Sequence, residues 1–235
     1  LILKHRYMLV KTYGSAIIGV GAVTVTVEVT VSQGAGFSIV GLPDNAVKES
    51  GQRIASAFLE SGYKVPGHNV VVNMAPADLK KEGAAYDLTI AIGILGATGM
   101  LKPDELERYV IMGELGLDGS LRPIKGVLPI AIEARRRQCK GIIVPAANAR
   151  EAAIVNNLEV YGAESLKQVV DFFNGQAIYS KIVEMGSHVP IVEQNDYHYT
   201  CRQYIGAAIQ EILMGSDVET ALKNAEDQLR FAMGL

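Results

Sequence analysis

Residues 22–31 read Ala-Val-Thr-Val-Thr-Val-Glu-Val-Thr-Val, with valine at every second position. A helix would scatter these valines around its circumference, whereas a strand puts all of them on one face. Valine and threonine also suit the pleated backbone. The segment is therefore a half-buried strand, with Glu28 on the face turned away from the core. A strand of this kind needs a second layer over its valines, which the rest of the chain must supply.

The flanking signals supply it by alternation. Residues 37–40 form a second strand that runs into Gly41-Leu42-Pro43-Asp44, after which Val47, Ile54 and Phe58 share one face of a helix that Gly62 can end. Residues 68–74 are a β-branched run broken by Ala75-Pro76-Ala77-Asp78. A polar loop over 79–85 follows, and then the most apolar stretch, 88–101. That stretch is shorter than the ~20 residues a membrane span requires, and it contains Gly93, Gly96 and Gly99, so it reads as a buried helix and no membrane is expected. Residues 109–114 and 119–123 flank Leu117-Asp118-Gly119, the signal of an antiparallel hairpin. A helix over 127–138 with a basic C-terminal end, a strand over 141–144, a helix over 147–155, and the segments 158–161 and 164–173 complete the pattern.

This order predicts an α/β fold (α+β mixed sheet) over residues 8–175, closing near Gly175. Residues 176–200 have weak periodicity. Two helical stretches, 202–214 and 217–233, follow as a C-terminal helical appendage, with Ser216 as N-cap of the second. Residues 1–7 read as a leader ahead of Met8, without the apolar core of a signal peptide.

With 235 residues, 49% hydrophobic and 20% charged, and a formal net charge of -3, the chain has no global attraction for nucleic acid or anionic lipid. DNA contact would need a local patch. Cys139 and Cys201 are far apart and form no C-x-x-C, which points to a reducing, cytoplasmic setting.

A P-loop requires G-x-x-x-x-G-K-[ST], whose backbone cradles phosphates while the lysine reaches the terminal one. Gly36 to Gly41 and Gly93 to Gly99 are the nearest matches to the glycine spacing but are followed by Leu42 and Met100, so no nucleotide cofactor is expected in this chain. His198 and Cys201 lie one helical turn apart, yet two ligands do not make a metal site, and His5, His68 and His188 are isolated. Asp78 with Glu82, or Glu82 with Asp87, could pair for acid/base work, but Asp78 reads as a turn cap and Glu82 as solvent-facing. Arg135, Arg136, Arg137 and Lys140 are the best candidate for contact with DNA phosphates. Adjacent helix residues diverge, however, and cations there also complement the helix dipole.

Several separated motifs carry a resemblance. Met8-Leu9-Val10-Lys11-Thr12-Tyr13-Gly14-Ser15-Ala16 comes first, followed by Phe37-Ser38-Ile39-Val40-Gly41-Leu42-Pro43. Asn73-Met74-Ala75-Pro76-Ala77-Asp78-Leu79-Lys80-Lys81-Glu82-Gly83 is next, then Tyr86-Asp87-Leu88, Gly113-Glu114-Leu115 and Asp118-Gly119-Ser120-Leu121-Arg122-Pro123. In this order they resemble the N-terminal domain of the YifB/ComM family, magnesium-chelatase-subunit-like AAA+ ATPases.

The resemblance implies a Lon-protease-like domain of the ribosomal-protein S5 domain 2-like class. Lon-type proteases pair a serine nucleophile with a lysine. Matched to their motifs, Ala85 falls at the serine and Leu128 at the lysine, with Lys125 displaced by three residues, so no catalytic residue is expected. A residual peptidase would have to use Ser50 or Ser56 with Lys48. The resemblance further implies an AAA+ module as partner, homo-oligomeric rings, ATP and Mg bound by that module alone, and a part in DNA branch migration during natural transformation. In the tail, residues 204–210 and 221–225 are similar to the last helices of solute-binding proteins of ABC transporters, which would imply small-solute binding. Met185-Gly186-Ser187-His188 resembles the start of an appended, unrelated segment.

Overall fold

A computed structural model describes residues 8–64, 68–175 and 218–233. The chain divides into two compact units, Leu1–Glu184 and Met185–Leu235.

The valine alternation becomes β2 (Gly21–Gln33), in which Val25, Val27, Val29 and Val31 are buried. It pairs antiparallel with β1 (Val10–Ile18) on one side and with β4 (His68–Ala75) on the other. The edge strand β3 (Gly36–Val40) is parallel to β4. Beyond β1 follow β5 (Tyr109–Ile111), β8 (Gly141–Pro145) and β9 (Glu159–Ala163), all parallel, giving a seven-stranded mixed sheet in the order β3-β4-β2-β1-β5-β8-β9. The two antiparallel pairs are the local ones around β2; the parallel pairs need the crossover helices.

Each face of β2 meets a different helix. The valine face is covered by α3 (Asp87–Ala97), buried all round from Asp87 to Gly96, as expected of a helix with no polar side. Its Gly93 sits so close to Val29 and Thr12 that a Cβ would lie 2.7 Å from the Val29 side chain. On the threonine face lies α5 (Val127–Arg136), whose Glu133 accepts a 3.2 Å hydrogen bond from Thr24. Short α1 (Asn45–Lys48) and α2 (Ser50–Glu60) pack outside α3, and α4 (Pro103–Leu106) closes its C-terminal end. Then come α6 (Ala149–Ala152) and α7 (Leu166–Phe173), and in the second unit α8 (Val218–Met233).

The structure revises several sequence expectations. The expected hairpin divides: Tyr109–Ile111 is fully buried and joins the main sheet, and only β6 (Glu114–Leu115) and β7 (Leu121–Arg122) pair antiparallel, across Gly116 to Ser120. An all-apolar triplet is a central parallel strand rather than a hairpin arm. The helix carrying Val47 and Phe58 breaks at Glu49 into α1 and α2, and the 147–155 helix shortens to a 3-10 turn (Ala146–Asn148) followed by α6. The polar loop before α3 contains Lys81, which is fully buried. The 202–214 helix, Ser216, the 185–188 junction, residues 1–7, His188, His198 and Cys201 lie outside the described residues.

Candidate functional site

A cleft of about 420 Å³ opens where β1 and β5 separate at the C-terminal ends of the parallel strands, the end where open α/β sheets bind their ligands. Three segments build it. The first is the loop of residues 79–83, which leads into a 3-10 turn (Ala84–Tyr86) ahead of α3. Asp44 fixes this loop: its backbone N–H donates to Lys81 O (2.9 Å), and its carboxylate accepts from Val47 N–H (2.8 Å) and Gly83 N–H (3.0 Å). The Lys81 ammonium donates to Gly41 O (2.8 Å) and to Pro76 O, and burial lowers its pKa. Gly41, at φ +97°, lets its backbone pass close to β4, because a Cβ there would fall 2.0 Å from Met74 O. The Gly-Leu-Pro-Asp and Lys-Lys-Glu-Gly motifs, 40 residues apart, are thus one structural unit.

The second segment is the end of β5. Gly113 N–H donates to Ala85 O (2.8 Å) and Gly113 O accepts from Leu88 N–H (3.0 Å), which pins Ala85 to the cleft wall. Tyr86 is buried, its pKa raised chiefly by burial, and its hydroxyl donates to Ser15 O (3.0 Å). Ser15 N–H meets Met112 Sδ at 3.3 Å, and Ser15 Oγ is buried with no partner among the described residues.

The third segment is the wall Pro123 to Lys125. Asn148 holds it by accepting from Ile124 N–H and donating to Ile124 O, each at 2.9 Å. Gly126, in the left-handed region, starts α5, and Glu151 accepts from Leu128 N–H (2.9 Å). At the mouth, Lys80 pairs with Glu82, and Arg122 with Glu114 at 3.2 Å, whereas Lys125 has no ion-pair partner among the described residues.

Of the residues matched to a protease dyad, Ala85 lines the cleft and Leu128 does not: it is half-buried against the core on the first turn of α5. Lys125 is the lysine of that wall. Ser50 is completely buried, so its hydroxyl cannot meet a substrate, while Lys48 is exposed on the preceding helix and Ser56 is half-buried. Asp78 is exposed and makes no capping hydrogen bond among the described residues, whereas Asp44 caps α1. Glu82 is exposed, as expected. Asp87 is buried against Arg53, with oxygens 2.7 and 2.9 Å from the guanidinium nitrogens. Burial raises its pKa, and the hydrogen bond from Arg53 opposes that shift. Among the described residues no group of three or more potential ligands can hold a metal ion, and no helix is long and apolar enough to cross a membrane.

The basic cluster is regrouped. Arg136 folds back onto Glu133 in a bidentate pair of 2.7 and 2.9 Å. Arg135 is exposed with no partner among the described residues. Arg137 lies 4.8 Å above the Tyr13 ring, and Lys140 lies 5.5 Å from the Tyr109 ring and 3.9 Å from Glu159. Arg137 and Lys140 share a second groove with Arg108, which the sequence did not single out because it is 29 residues from Arg137 in the chain. Cys139, in the same groove, has its thiol pKa raised by burial.

Comparison with known proteins agrees with this architecture. The family model of subunit ChlI of Mg-chelatase matches residues 27–148. Competence protein ComM of Haemophilus influenzae is 44% identical over 165 residues, covering 70% of this chain and 32% of that protein. The uncharacterized protein YifB of Escherichia coli is 42% identical over 162 residues, covering 68% of this chain and 32% of that protein. Lon protease 2 of Bacillus subtilis is 24% identical over 126 residues, covering 53% of this chain and 22% of the protease, consistent with a Lon-like domain. The chain therefore spans about a third of the length of its ComM and YifB relatives. The family match over half of the chain, with motifs that meet around one cleft, places the chain in the Mg-chelatase subunit ChlI family, within its YifB/ComM group.

Proposed function

We propose that residues 8–175 are a non-catalytic accessory domain of a magnesium-chelatase-like AAA+ ATPase of the ComM type, which aids ring assembly or presents DNA or a partner protein to the motor. The observation that carries this reading is Ala85. A rigid backbone clip holds it in the cleft wall, and its methyl group has no proton to exchange and no lone pair with which to attack. Among the described residues Ser15 is the one serine lining the cleft; its Oγ is buried, and no described lysine is hydrogen-bonded to it. The ATPase module, with its ATP and Mg, would occupy the part of the relatives' length that this chain does not span. The assembly would be a cytoplasmic homo-oligomer engaged in DNA branch migration.

The test uses the full-length protein that carries this domain. Deleting residues 8–175 should lower branch migration of a synthetic four-way junction while ATP hydrolysis persists. A fluorophosphonate serine probe should leave the domain unlabelled. Unchanged branch migration, or stoichiometric labelling, would refute the accessory reading.

A further inference from the structure

We propose that the cleft is a docking groove for an extended polypeptide segment, which pairs as an added strand with Ile17 on the free edge of β1 and leaves uncleaved. The last clause rests on the non-catalytic reading above; the pairing itself does not.

The argument starts at the β1–β2 turn. Gly19, at φ +58°, and Val20 form a two-residue loop between the paired residues Ile18 and Gly21. In such hairpins the closing pair is hydrogen-bonded, so the N–H and C=O of Ile18 face β2. These groups alternate in direction along a strand; those of Ser15 and Ile17 therefore face away from β2. Side chains fill the Ser15 positions, Met112 Sδ at the N–H and the Tyr86 hydroxyl at the C=O. The Ile17 N–H and C=O have no such partner among the described residues. On that side β1 meets β5 at the single pair Tyr13↔Val110, so among the described residues no strand covers the edge beyond it.

A free N–H and C=O on a strand edge are a template for another chain's backbone. A peptide backbone offers the matching donor and acceptor on each residue, whereas the phosphodiester backbone of DNA offers acceptors alone. The surroundings also favour a peptide. Ile17, Ile18 and the fully exposed Val20 make the hairpin tip apolar, and Ile124 forms the facing wall. Lys80 and Glu114 are each neutralised by a neighbour, and Lys125 is not. The occupant is thus a strand of alternating apolar residues followed by a carboxylate that meets Lys125.

Fluorescence anisotropy tests this on the whole protein, with a fluorescein-labelled hexapeptide, Val-Thr-Val-Thr-Val-Glu, and a copy N-methylated at its four central residues. Pairing predicts that methylation weakens binding about two- to tenfold, the effect of losing the one hydrogen bond from the peptide N–H to Ile17 O. Ile17→Pro removes the outward N–H without touching the bonds to β2, as edge strands tolerate, and should have a similar effect. Mass spectrometry should find the peptide intact. Equal affinity for the methylated copy and for I17P, or no binding at millimolar protein, would overturn the docking proposal while leaving the accessory reading standing. Cleavage of the peptide would overturn its uncleaved clause and the accessory reading together.

Discussion

Replacing Arg53 by methionine should be among the most damaging single changes in the domain, and its cost should depend on pH. The Asp87 side chain is 1% exposed and accepts three hydrogen bonds, from Arg53 Nε at 2.7 Å, from Arg53 Nη2 at 2.9 Å and from Leu115 N–H at 3.3 Å. Methionine keeps most of the packing of the arginine stem but removes two of the three bonds and the countercharge. Orphaning one member of a buried pair typically costs about 3–5 kcal/mol, or a melting-temperature drop of roughly 6–20 °C for a domain of this size. The pH dependence follows from Asp87. Its folded pKa lies above the unfolded value because burial outweighs Arg53, so its ionisation opposes folding as pH rises between the two. Without Arg53 the folded pKa climbs further. The cost of R53M should therefore grow with pH between the two folded pKa values, by ~1.4 kcal/mol per unit of separation, and be smaller near pH 4 than near pH 8. Urea unfolding followed by circular dichroism, wild type against variant at each pH, measures this difference. A cost below about 1 kcal/mol at neutral pH, or one independent of pH, would refute the assignment of an essential buried pair. The double variant R53M/D87L should recover part of the loss, since paired apolar replacements are often neutral.

Three further outcomes follow from the same geometry. Asn148→Ala strands the N–H and C=O of Ile124, and a loss of about 2–5 kcal/mol is expected in chemical denaturation; a loss within ~0.5 kcal/mol would show that water replaces the clip. Gly41→Ala drives a Cβ into Met74 O at positive φ and should destabilise by at least ~2 kcal/mol, read as a fall in melting temperature; an unchanged melting temperature would show that the loop can shift. If the second groove contacts DNA, Arg137→Ala and Lys140→Ala should each weaken binding and lower its salt slope by about one. Arg136→Ala, whose guanidinium is bound to Glu133, should leave both unchanged in filter-binding titrations across salt concentration.

What was legible in the sequence is what a local pattern can encode. The β2 valines, the all-apolar α3 and the basic end of α5 each announce themselves within a dozen residues, and each is found in place. Tyr109–Ile111 misled because a hairpin signal lay beside it, and burial on both sides decided in favour of the main sheet. Lys81 misled because a lysine in a polar loop reads as solvated, whereas its ammonium caps carbonyls supplied from 40 and 5 residues away. The cleft belongs to this second kind. Each of its supports joins residues distant in the chain, Asp44 to Gly83, Tyr86 to Ser15, Asn148 to Ile124, and no periodicity records such pairs. The matched motifs put Ala85 at the serine, and Ala85 lines the cleft. They put Leu128 at the lysine, and yet the cleft takes Lys125, because the wall bends at Gly126 and turns α5 into the core. A dyad needs two side chains to converge. Here only one of the two matched positions reaches the cleft, so an Ala85→Ser, Leu128→Lys double replacement should not restore hydrolysis of a peptide ester, and turnover by that variant would show that the wall can move to close the gap.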